Sequence, residues 1–161
     1  MESSERFLDT LRALRGSRTV ILGVGNVLKG DDAAGPLVCE GLQGCVSAKV
    51  IDAGTVPENF IRPVILARPE NLLIIDAVDC GEAPGTARVF KSDEVGGFAF
   101  STHALSFHLF ADIIRQEVSL EVQVLGIQPV HTNLGEAVSA EVRKAIDLVT
   151  EALREVFPLG Q

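Results

Sequence analysis

The segment T-V-I-L-G-V-G-N-V-L-K-G-D-D-A-A-G-P, residues 19–36, contains the features that decide the fold. It begins with an apolar run from Val20 to Leu22, which is bounded by glycine and predicts a buried strand over about residues 18–23. A turn follows, because glycine permits sharp turns and asparagine tolerates left-handed backbone angles. A helical pattern over 32–44 comes next. The order of strand, turn and helix predicts an α/β sheet, whose ligands bind at the carboxyl ends of the strands.

Two adjacent carboxylates, Asp31 and Asp32, stand at the start of this helix and argue against a phosphate ligand. A dinucleotide-binding turn has a third glycine where this chain has Leu28, and a pyrophosphate needs bare N–H groups at the helix N-terminus. Two like charges about 4 Å apart repel each other by about 1 kcal/mol in water and by more in a partly buried cleft. The pair therefore favours a cation. The alternatives are that both acids cap the helix, or that one caps it while the other points into the cleft.

Composition indicates an ordinary globular protein, and the length of 161 residues predicts a single domain over residues 1–161. The net charge is −8 and no basic cluster is present, which argues against nucleic acid and anionic membrane surfaces as partners. The N-terminus has no apolar core of signal-peptide length, and no run approaches the length of a membrane span. Cys39, Cys45 and Cys80 are odd in number and lack C-x-x-C spacing, which is typical of a reducing compartment. We expect a cytoplasmic protein.

The rest of the chain alternates between helical and strand patterns. Helices are predicted over residues 3–15, 57–67 (kinked or interrupted at Pro63), 103–115 and 136–156, and strands over 49–51, 71–78, 86–91 and 121–127. In the helix over 103–115, the residues expected to face the core are Leu105, Leu109, Ile113 and Ile114. The connection before 86–91 is too short for a parallel crossover, so this strand should be antiparallel. The pattern predicts a three-layer α/β sandwich with a mostly parallel, twisted five-stranded sheet and helices on both faces.

Three side chains suited to metal binding fall at one predicted edge of this sheet. Asp32 follows the first strand, and His103 stands at a helix start after Ser101 and Thr102. Asp76 lies within an apolar strand, where a carboxylate must be paired, coordinated or protonated. His103 has a plainer alternative as a polar residue in a first helical turn. Two carboxylates and an imidazole suit a divalent transition metal.

Five segments match, in order and spacing, those of the hydrogenase maturation endopeptidases, which trim the large subunit of nickel–iron hydrogenases. They are I-L-G-V-G-N-V-L-K-G-D-D-A-A-G-P, I-D-A-G-T-V-P-E-N, L-L-I-I-D-A-V-D, S-T-H and V-L-G-I-Q-P, and the resemblance covers about residues 19–150. The chain resembles in particular the formate-hydrogenlyase-type branch of that family. One departure is Asp52-Ala53-Gly54-Thr55, where the family often has Asp-Gly-Gly-Thr. This segment is expected to turn out of the second strand.

The resemblance implies both an activity and a set of site residues. The expected activity is removal of a C-terminal extension from the nickel-loaded precursor of a [NiFe]-hydrogenase large subunit. Asp32, Asp76 and His103 would bind the nickel carried by this precursor and form the catalytic centre. The segment's Asp52, Gly54 and Thr55 would line the same edge and hold the tail. Nickel then comes with the substrate, zinc or cadmium can take its place in crystals, and the free enzyme holds no tightly bound metal.

Two alternatives remain at the level of sequence. One is a noncatalytic metal-binding module that detects inserted nickel without cleaving the precursor. The other is a nucleotide binder, which the paired carboxylates argue against. A Ser–His–Asp set, a Cys–His set and a His-Glu-x-x-His helix cannot be recognised. The metal could polarise the scissile carbonyl or activate a water, and a carboxylate such as Asp32 could act as base. His108, expected to pack or lie on the surface, and His131, which could rim the cleft, have no assigned role.

Overall fold

A computed structural model describes residues 2–92, 94 and 107–160, which form a five-stranded mixed sheet with helices on both faces. The strands are β1 (Thr19–Val24), β2 (Lys49–Gly54), β3 (Asn71–Ala77), β4 (Ala87–Lys91) and β5 (Glu121–Ile127). Their order across the sheet is β2-β1-β3-β5-β4, and only the β4–β5 pair in this part of the chain is antiparallel. The predicted fold class is confirmed, including the antiparallel strand.

In the described part of the chain, five helices cover the two faces of this sheet. They are α1 (Glu2–Arg12), α2 (Ala34–Leu42), α3 (Ile61–Ala67), α4 (Phe107–Arg115) and α5 (Ala140–Val156), with 3-10 turns at Gly30–Ala33 and Pro57–Phe60. One apolar core lies between the sheet and α1, α2 and α5, and the other between the sheet and α3 and α4. Since β3 contributes side chains to both cores, it is buried from Leu72 to Ala77, as its apolar sequence predicts. No helix among the described residues is long and apolar enough to cross a membrane.

Several predicted boundaries were wrong. The helix expected over 32–44 is a 3-10 turn followed by α2, and the helix expected over 3–15 ends at Arg12. β2 continues to Gly54 instead of turning out at Asp52, because it stays paired with the end of β1. The helix expected from 136 begins at Ala140, since Ser139 is its N-cap and accepts a hydrogen bond from the Val142 N–H.

The core-facing side of α4 also differs from the prediction. Leu109 was expected inside but is 49% exposed, whereas Ile114 is buried as expected. The buried stripe consists of Phe107, Phe110, Ala111 and Ile114. These positions follow the i, i+3, i+4, i+7 spacing, and the two phenylalanine rings remove more apolar surface from water than leucine would. Leu105 lies outside the described residues.

Gly35, in the first turn of α2, sets how closely this helix approaches the sheet. A Cβ atom built at Gly35 would overlap the carbonyl oxygen of Val24 and would lie 2.5 Å from that of Ile75. Only glycine therefore lets the helix rest directly on the carboxyl ends of β1 and β3. This contact places the preceding 3-10 turn at the edge where ligands bind in α/β sheets.

Candidate functional site

Asp32 and Asp76 lie at the carboxyl edge of the sheet, on elements that contact each other. Asp32 belongs to the 3-10 turn before α2, and Asp76 is the last residue but one of β3. The turn packs against β3, and both carboxylate residues are fully buried. His103, the third predicted ligand, lies outside the described residues. The described chain thus brings together the elements that carry two of the three predicted site residues.

The glycine turn after β1 closes directly on Asp32. The Oδ2 atom of Asp32 accepts a hydrogen bond of 2.7 Å from the backbone N–H of Asn26. A Cβ atom at Gly25, whose φ is 151°, would overlap the backbone oxygen of Asp32. The absence of a side chain at Gly25 therefore allows the turn to wrap around the acid and fix its carboxylate.

Asp76 interrupts an apolar strand at the point where that strand reaches the edge. It pairs in register with Gly126 of β5. Alternation along β3 puts Asp76 on the same face as Leu72 and Ile74, which is the face that α3 and α4 cover. A carboxylate in such surroundings costs free energy unless it is hydrogen-bonded, paired or coordinated, so packing alone does not account for its presence.

Asp31, the neighbour of Asp32, has a structural role that the sequence did not reveal. Its Oδ1 atom accepts a 2.7 Å hydrogen bond from the Ser139 N–H, and its Oδ2 atom accepts from the Val130 N–H at 2.8 Å. The Ser139 hydroxyl at 2.9 Å and the His131 N–H at 3.3 Å also donate to Oδ2. Burial raises the pKa of Asp31, but these hydrogen bonds stabilise the carboxylate and hold its pKa below the usual value. Asp31 thereby fastens the loop after β5 to the 3-10 turn.

Neither acid caps a helix through its side chain, so the capping alternative is wrong. The N-cap positions are Lys29 for the 3-10 turn and Ala33 for α2, and no side-chain cap hydrogen bond is present at either. The partners of Asp31 lie about 100 residues away along the chain. No local sequence signal could have identified them.

The three residues expected to hold the substrate tail lie at the carboxyl end of β2. Asp52 is exposed and its Oδ1 atom accepts a 3.0 Å hydrogen bond from the Gly54 N–H, while Gly54 and Thr55 are half-buried. Gly54 has a φ of 55°, whereas Ala53 is buried and has no positive φ. The positive φ that this segment needs therefore occurs at Gly54, so alanine can occupy position 53 without strain.

Gln128 is a positioning residue at the same edge that sequence reasoning did not single out. Its Oε1 atom accepts from the backbone N–H groups of Cys80 at 2.8 Å and Glu82 at 3.2 Å, and its Nε2 atom donates to Asp79 at 3.1 Å. These bonds fix the loop that follows Asp76. Its place directly after an apolar strand, in the V-L-G-I-Q-P segment, is the signal that could have indicated it.

Two of the three histidines can be placed. His108 is exposed and forms an ion pair of 3.3 Å with Asp112, which agrees with the expected surface role. The Nδ1 atom of His131 is buried 2.5 Å from Glu136 Oε2, close enough for an ion pair when the imidazole is protonated but not aligned for a hydrogen bond. His131 packs beside Gly30, so it lies near the candidate site.

The thiols do not provide a nucleophile. Burial, with a contribution from the charge of Asp52, raises the pKa of Cys39 to about 12, and burial also raises the pKa of Cys80. Cys45 is exposed beyond the end of α2, away from this edge. Within residues 2–92, 94 and 107–160, no three His, Cys, Asp or Glu side chains are grouped closely enough to hold a metal ion. His103, the third ligand that the resemblance implies, lies outside these described residues.

A cavity of about 650 Å³ opens at the opposite, amino edge of the sheet, and its basic side chains are Arg15, Arg18 and Lys49. Arg15 donates to the Glu155 carbonyl at 3.0 Å, and Arg18 pairs with Glu70 at 3.3 Å. These contacts attach the end of α5 and the start of β3 to the loop before β1. Both arginines thus have structural roles, and we place the functional site at the carboxyl edge.

Comparison with known proteins shows the family of this chain. The family model for hydrogenase maturation proteases matches residues 38–155. The hydrogenase 3 maturation protease of Escherichia coli strain K12 is 36% identical over 140 residues, which cover 83% of this chain and 87% of the relative. A putative hydrogenase maturation protease of Methanocaldococcus jannaschii is 32% identical and covers 95% of both chains. The crystal structure of the [NiFe] hydrogenase maturation protease HycI from Thermococcus kodakarensis superimposes with a TM-score of 0.82 at 28% identity, covering 92% of this chain and 97% of that one.

The fold and these similarities define a peptidase whose candidate site lies at the carboxyl edge of an α/β sheet. More specifically, the chain belongs to the hydrogenase maturation protease family, and its activity is that of a hydrogenase maturation endopeptidase.

Proposed function

We propose that this protein removes the C-terminal extension from the nickel-loaded precursor of a [NiFe]-hydrogenase large subunit in the cytoplasm. The observation that supports this proposal is the burial of two carboxylates, Asp32 and Asp76, on contacting elements at the edge where this class of sheet binds ligands. Buried acids that are not needed for packing are typical of functional sites.

The proposed site recognises the metal of its substrate. Asp32, Asp76 and His103 contact the nickel that the precursor carries, and oxygen and imidazole ligands of this kind suit a divalent transition metal. Asp52, Gly54 and Thr55 hold the tail along the end of β2. Together these contacts place one peptide bond in a fixed position, and such positioning is a large part of catalysis in hydrolytic enzymes.

Hydrolysis also needs a group that takes a proton from the attacking water. The thiols are unsuited to catalysis, because burial keeps Cys39 and Cys80 protonated. We assign the base to a carboxylate of the site, with Asp32 as the candidate, since the Asn26 N–H fixes its position. The nickel of the substrate, held by these residues, would polarise the scissile carbonyl or activate the attacking water.

The direct test is incubation of the purified protein with the nickel-loaded precursor, followed by mass spectrometry. We expect the large subunit to lose the mass of a C-terminal extension. Binding of the precursor without any change in mass would instead indicate a noncatalytic checkpoint for nickel insertion.

A second test is elemental analysis of protein purified without chelator. Because the proposed ligands are only two carboxylates and one imidazole, and nickel arrives with the substrate, we expect far less than one equivalent of metal after dialysis. One equivalent of zinc that survives dialysis would contradict the proposal and indicate a conventional metalloprotease.

A further inference from the structure

The carboxyl edge carries a concentration of exposed apolar side chains. Among the described residues, nine large hydrophobic side chains are exposed, and four of them lie in the loops after β1 and β5. These four, which we call the apolar rim, are Val27 (60% exposed), Leu28 (64%), Val130 (49%) and Leu134 (71%). Of the other five, Val56 follows β2, Leu159 lies beyond the end of α5, and the rest lie on separate helices: Leu66 on α3, Leu109 on α4 and Leu148 on α5. Single exposed hydrophobic residues are normal, but a group of them marks an interaction site.

The apolar rim is held rigidly. The Leu28 N–H donates to the Asn26 side chain at 2.9 Å, and the Leu28 carbonyl accepts from the Gly135 N–H at 2.8 Å, so the two loops are joined at this point. Asp31 binds the backbone of Val130 and lies next to Asp32 in sequence. The rim is therefore preorganised beside the candidate site, and a preorganised surface loses less entropy when it binds.

We propose that the apolar rim docks the folded body of the hydrogenase precursor whose tail is cut. This inference rests on the proposed function, because that precursor must bring its C-terminus to this edge. Any protein whose tail reaches Asp32 lies against the loops that Asp31 fastens together. The four exposed side chains of the rim are apolar, so the surface that fits them is apolar. A second copy of the chain is a poorer occupant, since each copy carries a net charge of −8.

The test is a pair of matched double variants. Leu28→Gln with Leu134→Gln removes apolar character from the rim, and Leu66→Gln with Leu148→Gln makes the same change on helices away from it. With the nickel-loaded precursor as substrate, we expect the rim variant to raise KM about 10-fold or more and to leave kcat within about twofold, because docking contributes equally to the ground and transition states. The control should match the wild type.

Thermal unfolding of each variant shows whether the fold is intact. If the double rim variant unfolds early, the single variants Leu28→Gln and Leu134→Gln take its place, each with an expected rise in KM of about threefold. An unchanged KM, a fall in kcat alone, or an equal loss in the control would overturn the docking role while the proposed function stands. A wild-type dimer that the rim variant abolishes would assign the rim to a second copy instead. Failure of the wild type to cut the precursor would overturn the proposed function itself.

Discussion

Carboxylates at the two edges of the same sheet have very different surroundings. At the amino edge, the Glu70 side chain is 52% exposed and pairs with the Arg18 guanidinium at 3.3 Å. At the carboxyl edge, Asp31, Asp32 and Asp76 are all fully buried. Glu70 at the amino edge is therefore an ordinary surface charge, whereas the three aspartates at the carboxyl edge are shielded from water.

An exposed ion pair and a buried carboxylate differ in how much they change the free energy of folding. An exposed ion pair contributes at most about 1 kcal/mol, and salt screens it. A buried carboxylate costs several kcal/mol unless fixed hydrogen bonds or a cation compensate. Asp31 is compensated by the loop after β5, which makes it structural. Asp32 also accepts a fixed hydrogen bond, from the Asn26 N–H. Under the proposed function, Asp32 and Asp76 would in addition contact the metal of the substrate.

The largest expected effect is on activity, and it compares a substitution at the carboxyl edge with one at the amino edge. Asp76→Asn keeps the shape of the side chain but removes one charge from the proposed metal contact, a loss of about 1–4 kcal/mol at short range. This corresponds to roughly a 5- to 1,000-fold weaker productive complex, and a misplaced peptide lowers the rate further. Mass spectrometry should show almost no processing of nickel-loaded precursor by a variant with a normal circular dichroism spectrum. Glu70→Gln at the amino edge is the control and should process it normally; equal activities in the two variants would remove Asp76 from the site.

The next effect is on stability, and it compares the loss of a buried carboxylate with the loss of an exposed one. Asp31→Asn replaces a carboxylate that accepts four hydrogen bonds with an amide, and we expect a loss of about 2–4 kcal/mol in the free energy of unfolding. Glu70→Gln makes the same chemical change at an exposed pair and should cost less than about 1 kcal/mol. Urea denaturation at pH 7 measures both values. If both variants lost a similar amount of unfolding free energy, the buried Asp31 would contribute no more to stability than the exposed Glu70.

The smallest effect concerns the thiol of Cys39 in α2 and appears only at alkaline pH. Since the pKa of Cys39 rises from 9.0 to about 12, the folded protein keeps a proton that the unfolded chain loses in this range. Stability should therefore fall above pH 9, by about 1.4 kcal/mol per pH unit from this residue alone. The chain has no tyrosine, so phenol groups do not add to this dependence.

Cys39→Ala and Cys45→Ala form the matched pair for this measurement. Cys39 is fully buried under the carboxyl edge, whereas Cys45 is exposed beyond the end of α2. Melting temperatures between pH 8 and pH 10.5 should fall less steeply for Cys39→Ala than for the wild type. The slope of Cys45→Ala should match that of the wild type, and a flatter slope in this variant instead would contradict the assignment.

Sequence reasoning succeeded where burial depends on local pattern. The strands β3 and β5 agree with the predicted ranges almost to the residue, because an apolar run covered on both faces leaves few alternatives. It failed where contacts between residues distant in sequence determine the structure. Pairing with β1 extends β2, the loop after β5 determines what Asp31 does, and the packing of two phenylalanines turns Leu109 toward solvent. For the site, the sequence indicated Asp32 and Asp76, and these two lie on contacting elements.

The central claim is that nickel in the substrate is the element that this protein recognises. The most direct measurement compares wild-type protein acting on nickel-loaded and on nickel-free precursor, with mass spectrometry of the large subunit after each incubation. Our account predicts loss of the C-terminal extension from the nickel-loaded precursor and an unchanged mass for the nickel-free one. Efficient cleavage of the nickel-free precursor would contradict the proposed role of Asp32, Asp76 and His103 in binding the substrate's metal.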